Sequence, residues 1–169
     1  MTVYQPYIGR YYEDFSIGDI YKHWPGRTIS ESDNTWFTLL TMNKHPVHFD
    51  HHFAKKQMFG KPLVNSGLTL AIVLGMSVAD TSQNTIANLG WESIKLPKPV
   101  FIGDTIYAES EILEKRESKS RPDTGIVSFE TRAYNQNNDL IMSYTRTILA
   151  KRQGYDDGKL PEFGTSQQV

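Results

Sequence analysis

Four of the five histidines lie within eight consecutive positions, in the stretch "KHPVHFDHH". Histidine has the side chain whose ordinary pKa is nearest neutral pH, so the cluster could transfer protons, and its ring nitrogens also bind metals. The stretch contains no H-E-x-x-H motif, so a metal site built from His45, His48, Asp50 and His52 is not predicted. We expect His51 and His52 to lie on the surface of a short helix that Asp50 caps.

Composition excludes several classes of function. The chain has 169 residues, enough for one domain, and a net charge of −1, which gives no attraction for nucleic acid or an anionic membrane. It has no cysteine, which excludes disulfides, thiolate metal sites and a cysteine nucleophile. The N-terminus has neither the basic start and apolar run of a signal peptide nor the composition of a transit peptide, so we expect a cytoplasmic protein.

The elements before and around the cluster follow from local patterns. Residues 18–29 mix β-branched and aromatic residues around Pro25-Gly26, which predicts an extended segment with a turn or bulge. Ser30 followed by Asp33 resembles a capping box and predicts the start of a helix. The residues at helical spacing on one face of that helix are Trp36, Phe37, Leu39 and Leu40.

Residues 66–80 are apolar nearly all round, which predicts a core helix buried on every side; they are too few to span a bilayer, which takes about 20 residues. Four segments with strand patterns follow, at 85–96, 104–117, 125–136 and 139–151, and short polar turns between them favour an antiparallel meander. The sequence therefore predicts an α+β fold with an antiparallel sheet wrapped around one long helix, in a domain of residues 1–152 with a polar tail at 153–169.

Three stretches resemble one known family. They are "NKHPVHFD", "GKPLVNSGLTLAIV" and "SIKLPKPVFIGDTIYAESEI". In this order and spacing they are similar to the MaoC-like dehydratases, also called R-specific enoyl-CoA hydratases, from about Tyr11 to Arg152. The resemblance implies a hotdog fold, a homodimer paired sheet edge to sheet edge, and an acyl-CoA thioester substrate in a tunnel at the interface.

The resemblance also implies roles for single residues. The family's motif reads Asp, any residue, Asn, Pro, an aliphatic residue, His, and its histidine corresponds to His48, which suits proton transfer during hydration of a 2-enoyl-CoA. Backbone N–H groups at Ser66 and Gly67 would stabilise the negative charge on the thioester oxygen. Asn65 stands where the family commonly has histidine, and it belongs to the expected substrate-binding residues.

The sequence departs from the family at the motif's first position. Asn43 stands in place of the aspartate, and His45 in place of the asparagine; an asparagine cannot accept a proton at neutral pH. Three alternatives follow: His48 alone transfers the proton while Asn43 positions water, His45 or Asp50 replaces the carboxylate, or the chain binds acyl-CoA without catalysis. We favour the first, because the Asn–His variant is similar to mesaconyl-CoA hydratases, which act on branched dicarboxylic acyl-CoA.

Cationic side chains provide candidates for binding the substrate's anionic groups. The CoA phosphates could be bound by a basic cluster, although a charged hairpin turn is usually only solvated. The members of this cluster are Lys115, Arg116, Lys119 and Arg121. A substrate carboxylate could pair with Arg27, Arg132 or Lys95. We expect neither a metal nor a redox cofactor, and the alternative functions are a hotdog acyl-CoA thioesterase and a non-catalytic subunit of a heteromeric dehydratase.

Overall fold

The computed structural model describes residues 7–155, so the predicted C-terminal tail lies outside the described residues from position 156 onward. The strands are β1 (Ile20–Thr28), β2 (Thr85–Lys95), β3 (Thr105–Glu117), β4 (Thr124–Tyr134) and β5 (Leu140–Lys151). The α-helices are α1 (Glu31–Leu40), α2 (His51–Ala54) and α3 (Ser66–Ser77). Short 3-10 turns lie at Tyr12–Asp14 and Pro46–His48, and a π-helical turn, Val78–Ser82, continues α3.

The five strands form one antiparallel sheet in the order β1-β3-β4-β5-β2. The predicted strand positions are confirmed within one or two residues, and the irregular register of β1 between His23 and Arg27 coincides with Pro25-Gly26. The predicted simple meander is wrong for β2, which pairs with β5 and not with β3. The long connection from β2 through Pro97 and Pro99 gives the chain room to cross to β3, so β1 and β2 form the two edges of the sheet.

The inner face of the sheet carries the core, and α3 packs against it across β1 and β3. Side chains alternate along β4, where Val127, Phe129 and Ala133 are buried and their neighbours are only partly so. Full burial of a side chain such as Val127 or Phe129 stabilises the fold by roughly 1.5–3 kcal/mol. The sheet and α3 therefore form the two layers predicted from the sequence.

The central helix is not buried on every side, which corrects the prediction. Its buried ridge repeats every four residues, and the hydroxyls in it bond back to helix carbonyls; it consists of Thr69, Val73, Ser77 and Thr81. The opposite face carries only small side chains and is exposed, at Gly67, Ala71, Gly75 and Ala79. None of the helices within residues 7–155 is long and apolar enough to cross a membrane.

Helix α1 begins as predicted but buries the other face. The Asp33 N–H donates to Ser30 Oγ at 3.1 Å and the Ser30 N–H donates to Asp33 Oδ2 at 2.8 Å, which completes the capping box. The apolar residues at helical spacing are mostly outside, with Trp36 76% and Leu40 78% exposed. The fully buried residues of α1 are polar: Asn34 and Thr38.

Candidate active site

The loop that carries the histidines starts where α1 ends. Met42 adopts a left-handed conformation with φ of 61°, so this residue reverses the chain after the helix. His45 then caps the 3-10 turn Pro46–His48, since its Nδ1 accepts a hydrogen bond from the Val47 N–H at 3.1 Å. Asp50 caps α2 by accepting from the Phe53 N–H at 2.9 Å, as predicted.

His48 is held by a backbone carbonyl. Its Nδ1 lies 2.9 Å from the Leu63 carbonyl oxygen, and because a carbonyl can only accept, Nδ1 carries the proton of the hydrogen bond. In the neutral ring Nε2 therefore has the free lone pair. This tautomer is the one in which the imidazole can act as a base through Nε2.

The other polar groups of the motif are engaged within the loop. Asn43 Oδ1 accepts from the His45 N–H at 3.0 Å, and no other residue within 7–155 bonds to the Asn43 side chain, so its Nδ2 is free to donate. The Nδ1 of His45 and the Asp50 carboxylate both cap helical turns, as described above. His51 and His52 are exposed as predicted, and His51 Nε2 lies 2.7 Å from Glu31 Oε1.

The start of α3 lies next to this loop. Asn65 is its N-cap, and its Oδ1 accepts from the Gly67 N–H at 2.9 Å, while its Nδ2 donates to Thr38 Oγ1 at 3.2 Å. The Gly67 N–H, expected to be an oxyanion donor, is therefore already bonded. The Ser66 N–H has no acceptor within residues 7–155 and remains available at the positive end of the helix.

A groove of about 290 Å³ opens beside Ser66. Its walls are largely apolar and include Phe59, Leu63, Leu96 and Val100. Lys98 is the cation in its lining, and its ammonium group is bonded to the Asp139 carboxylate. That bond lowers the pKa of Asp139. The groove therefore combines a free helix N–H, an apolar wall and one cation.

The basic cluster predicted to bind CoA phosphates lies at the C-terminal end of β3, whereas the groove residue Val100 precedes the start of this strand. Lys115 is about 30 Å along the strand from Thr105, at ~3.3 Å per residue. Its Nζ donates to the Phe15 carbonyl at 2.7 Å, and Arg116, Lys119 and Arg121 are exposed. One chain does not bring this cluster to its own groove.

The three cations suggested for a substrate carboxylate are not in the groove either. Arg132 is bonded to carboxylates of Glu109, Glu111 and Glu130, and the hydrogen bond to Glu111 contributes most to raising its pKa above the ordinary value. Arg27 pairs with Asp33 at 2.7 Å. Lys95 is exposed at the end of β2. No three metal-ligating side chains come together within residues 7–155.

Two residues of the site were missed in the sequence. Asn34, on the buried face of α1, bonds both to the loop that carries His48 and to Asn65 at the start of α3. Lys98 lines the groove from the connection that precedes β3. A signal existed for Asn34: it stands four residues from Thr38, a polar pair on one helix face, but the apolar residues beside them outweighed it.

Comparison with known proteins gives a family and a fold. The family model described as mesaconyl-CoA hydratase matches residues 6–162. The mesaconyl-CoA hydratase of Cereibacter sphaeroides is 31% identical over 145 residues, which are 86% of this chain and 42% of that protein. The chain thus spans less than half the length of this curated relative.

Solved structures share the architecture. A MaoC-like dehydratase from Rhodospirillum rubrum superposes with a TM-score of 0.77 at 25% identity, covering 87% of this chain and all of that one. A Mycobacterium tuberculosis protein with a double hotdog fold superposes with a TM-score of 0.80 at 21% identity, covering 95% of this chain and 52% of that one. The α+β hotdog fold predicted from the sequence is confirmed, and this chain corresponds to one hotdog unit.

Proposed function

This chain belongs to the mesaconyl-CoA hydratase family, and on that premise we propose that it adds water to a 2-enoyl-CoA thioester or removes it from a 3-hydroxyacyl-CoA. The observation that carries the proposal is the bond from His48 Nδ1–H to the Leu63 carbonyl, which leaves Nε2 as a base. The proposed reaction uses no cofactor besides the CoA that belongs to the substrate.

In the hydration direction His48 Nε2 takes a proton from water as the water oxygen bonds to C3 of the enoyl group. The electron pair of the C2–C3 double bond moves toward the thioester, whose oxygen becomes negative. The imidazolium then returns its proton to C2, so one H and one OH have been added and His48 is neutral again. Asn43 stands at the sequence position of the family's aspartate. Its free Nδ2 can donate to the water oxygen and orient the water.

The charge on the thioester oxygen requires a hydrogen-bond donor that is already in place. The Ser66 N–H meets this requirement, since it is unbonded and lies in the first turn of α3, where the helix dipole favours an anion. Gly67 permits close approach of the substrate to this turn, and its own N–H keeps the Asn65 cap in place. Ser66 is therefore the proposed oxyanion donor, with Asn65 and Gly67 shaping the site around it.

We propose that the acyl group carries a free carboxylate besides its thioester, as the family's name implies. Lys98 is the cation available for it, because it lines the groove that contains Ser66 while Arg132 and Arg27 are paired with acids elsewhere. The ion pair of Lys98 with Asp139 is more than one-third exposed on each side, so it is weak and can be exchanged for a substrate carboxylate.

We also propose that two copies of the chain assemble. The edge strand β2 exposes Leu89, Trp91 and Ile94, and its outer edge has no partner strand within residues 7–155. Such an edge is a template for pairing with another chain. Such an assembly would contain two hotdog units, the number in the double hotdog fold of the Mycobacterium tuberculosis protein.

The deciding experiment uses crotonyl-CoA and mesaconyl-CoA with the wild type, His48→Ala and the matched control His52→Ala, an exposed histidine of the same loop. Loss of the conjugated enoyl absorbance and the appearance of free thiol are followed together. Hydration removes absorbance without thiol, and we expect His48→Ala to lower kcat by about 10²–10⁴-fold while His52→Ala stays at the wild-type rate.

Other outcomes favour the alternatives. Thiol release would indicate a thioesterase. Binding of acyl-CoA without turnover would indicate a non-catalytic subunit, the alternative that Asn43 in place of the family's aspartate leaves open. In that case co-expression with a chain that has the intact Asp-to-His motif should restore activity.

A further inference from the structure

The side chain of Asn34 joins three backbone groups in the core of the site. Asn34 is completely buried. Its Nδ2 donates to the His48 carbonyl at 2.7 Å and to the Leu63 carbonyl at 3.0 Å, and its Oδ1 accepts from the Asn65 N–H at 2.8 Å. Both amide hydrogens and the amide oxygen are used, so the group is held in one orientation.

The Leu63 carbonyl is shared between Asn34 and the imidazole. It accepts from Asn34 Nδ2 at 3.0 Å and from His48 Nδ1 at 2.9 Å, which occupies both of its lone pairs. The carbonyl that selects the His48 tautomer is therefore itself oriented by Asn34. The other Asn34 N–H donates to the His48 backbone carbonyl. Both the backbone and the ring of His48 are therefore fixed relative to α1.

The third bond reaches the start of α3. The Asn65 N–H donates to Asn34, and the next residue is Ser66, whose own N–H is free. The capping box of Ser30 and Asp33 fixes the first turn of α1, and Asn34 directly follows Asp33. One buried amide on a capped helix thus connects the loop of His48 to the turn that presents the Ser66 N–H.

We infer that Asn34 is a positioning residue. It fixes the position of His48 Nε2 relative to the Ser66 N–H and keeps His48 protonated on Nδ1. The kinetic part of this inference rests on the proposed function. No other side chain of this size supplies two donors and one acceptor in a plane. Aspartate would place a charge against two carbonyl oxygens when ionised and would have a single hydrogen to donate when protonated, and serine would have one donor only.

The test compares Asn34→Asp, which has the same shape, with the wild type and with Thr131→Val, which removes a buried hydrogen bond to Ser110 elsewhere in the core. Folding is checked by circular dichroism and thermal unfolding, kcat and KM by loss of enoyl absorbance, and the His48 tautomer by ¹⁵N NMR of the imidazole. We expect Asn34→Asp to lower kcat by about 100-fold with KM nearly unchanged, and to shift the His48 ring away from the Nδ1–H form. Thr131→Val should alter only stability.

The NMR measurement separates this inference from the proposed function. A wild type without enoyl-CoA turnover would overturn the proposed function, yet its His48 ring should still be protonated on Nδ1 and Asn34→Asp should still disturb it. A wild-type ring protonated on Nε2, or a folded Asn34→Asp with wild-type kcat and tautomer, would overturn the inference. Asn34→Ser is the second variant if Asn34→Asp does not fold, and the wild-type spectrum needs no variant.

Discussion

Asn65 Oδ1 accepts from the Gly67 N–H at 2.9 Å, so the cap of α3 occupies one of the two backbone donors expected to bind the thioester oxygen. Asn65→Asp keeps the accepting oxygen and adds a negative charge beside the Ser66 N–H. A carboxylate caps the helix as well as an amide does, but at this buried position it is desolvated and has no hydrogen to donate to Thr38 Oγ1, so the free energy of unfolding should fall by about 1–3 kcal/mol. The same charge opposes the enolate, so we expect kcat to fall by about tenfold or more.

The control for this change is Asn65→Ser, which also caps helices but carries no charge. Steady-state kinetics and urea unfolding of both variants separate the two effects. Equal kcat in Asn65→Asp and Asn65→Ser would mean that no negative charge develops near this turn, and would remove Ser66 from its proposed role.

Gly67 leaves little space for a side chain. A Cβ there would lie 3.2 Å from Asn65 Oδ1 and 3.3 Å from Phe37 Cε1, whereas a Cβ at Gly75 on the same exposed face would meet nothing within 4 Å. In a helix interior Gly→Ala stabilises by about 1 kcal/mol. We expect that gain for Gly75→Ala in thermal unfolding, and no gain with reduced kcat/KM for Gly67→Ala. A destabilised Gly75→Ala would indicate that another subunit packs on this face.

The sequence patterns predicted the positions of the helices and strands better than they predicted which strands pair and which faces are buried. Alternating residues placed β3, β4 and β5 within one or two positions, because the period of two follows from local backbone geometry. The pairing of β2 with β5 depends on long-range contacts that no local pattern contains. The prediction for α3 was wrong on one side, since its small residues Ala71, Gly75 and Ala79 are exposed.

Helix α1 shows why the site was only partly predictable. Its apolar residues Trp36, Leu39 and Leu40 suggested a core-facing stripe, yet they are exposed, and the buried face carries Asn34 and Thr38. That face is buried against loops, whose carbonyl and N–H groups need polar partners. Hydrophobic periodicity cannot reveal such a face. The motif resemblance located His48 but gave no sign of the amide that orients it.

Lys98 provides a test of the acyl group. With Lys98→Met the groove keeps its apolar wall and loses its cation. Because the Lys98 side chain is about half exposed and must give up Asp139, its bond to a substrate carboxylate contributes about 1 kcal/mol, so kcat/KM for mesaconyl-CoA should fall by about fivefold, with that for crotonyl-CoA nearly unchanged. Lys95→Met, at the exposed end of β2, serves as the control. An equal loss for both esters would assign Lys98 to the CoA phosphates.

The two edges of the sheet offer a matched test of assembly. Leu89 on β2 is 50% exposed and Ile20 on β1 is 51% exposed, so a lysine at either position has similar access to water in a single chain. If β2 is the edge that pairs, Leu89→Lys should shift the mass measured by light scattering from dimer toward monomer, and Ile20→Lys should not. The reverse result would assign the interface to β1.

The capping box of α1 makes part of the stability depend on pH. The hydrogen bond from the Ser30 backbone N–H is the main cause that holds the pKa of Asp33 below its ordinary value of 3.8 in the folded chain. Since the folded pKa is the lower one, the ionised carboxylate stabilises the fold above about pH 4, and this contribution is lost as pH falls through the folded pKa.

Asp33→Asn should therefore destabilise by about 1 kcal/mol at pH 7 and by less at pH 3, where the wild type has lost part of the same interaction. Urea unfolding at both pH values measures the difference, with Asp123→Asn as the control, because Asp123 is exposed and its side chain makes no hydrogen bond within residues 7–155. A difference independent of pH would show that the cap acts through its shape and not through the charge. Because Asn34 follows Asp33, a loosened first turn should also lower kcat.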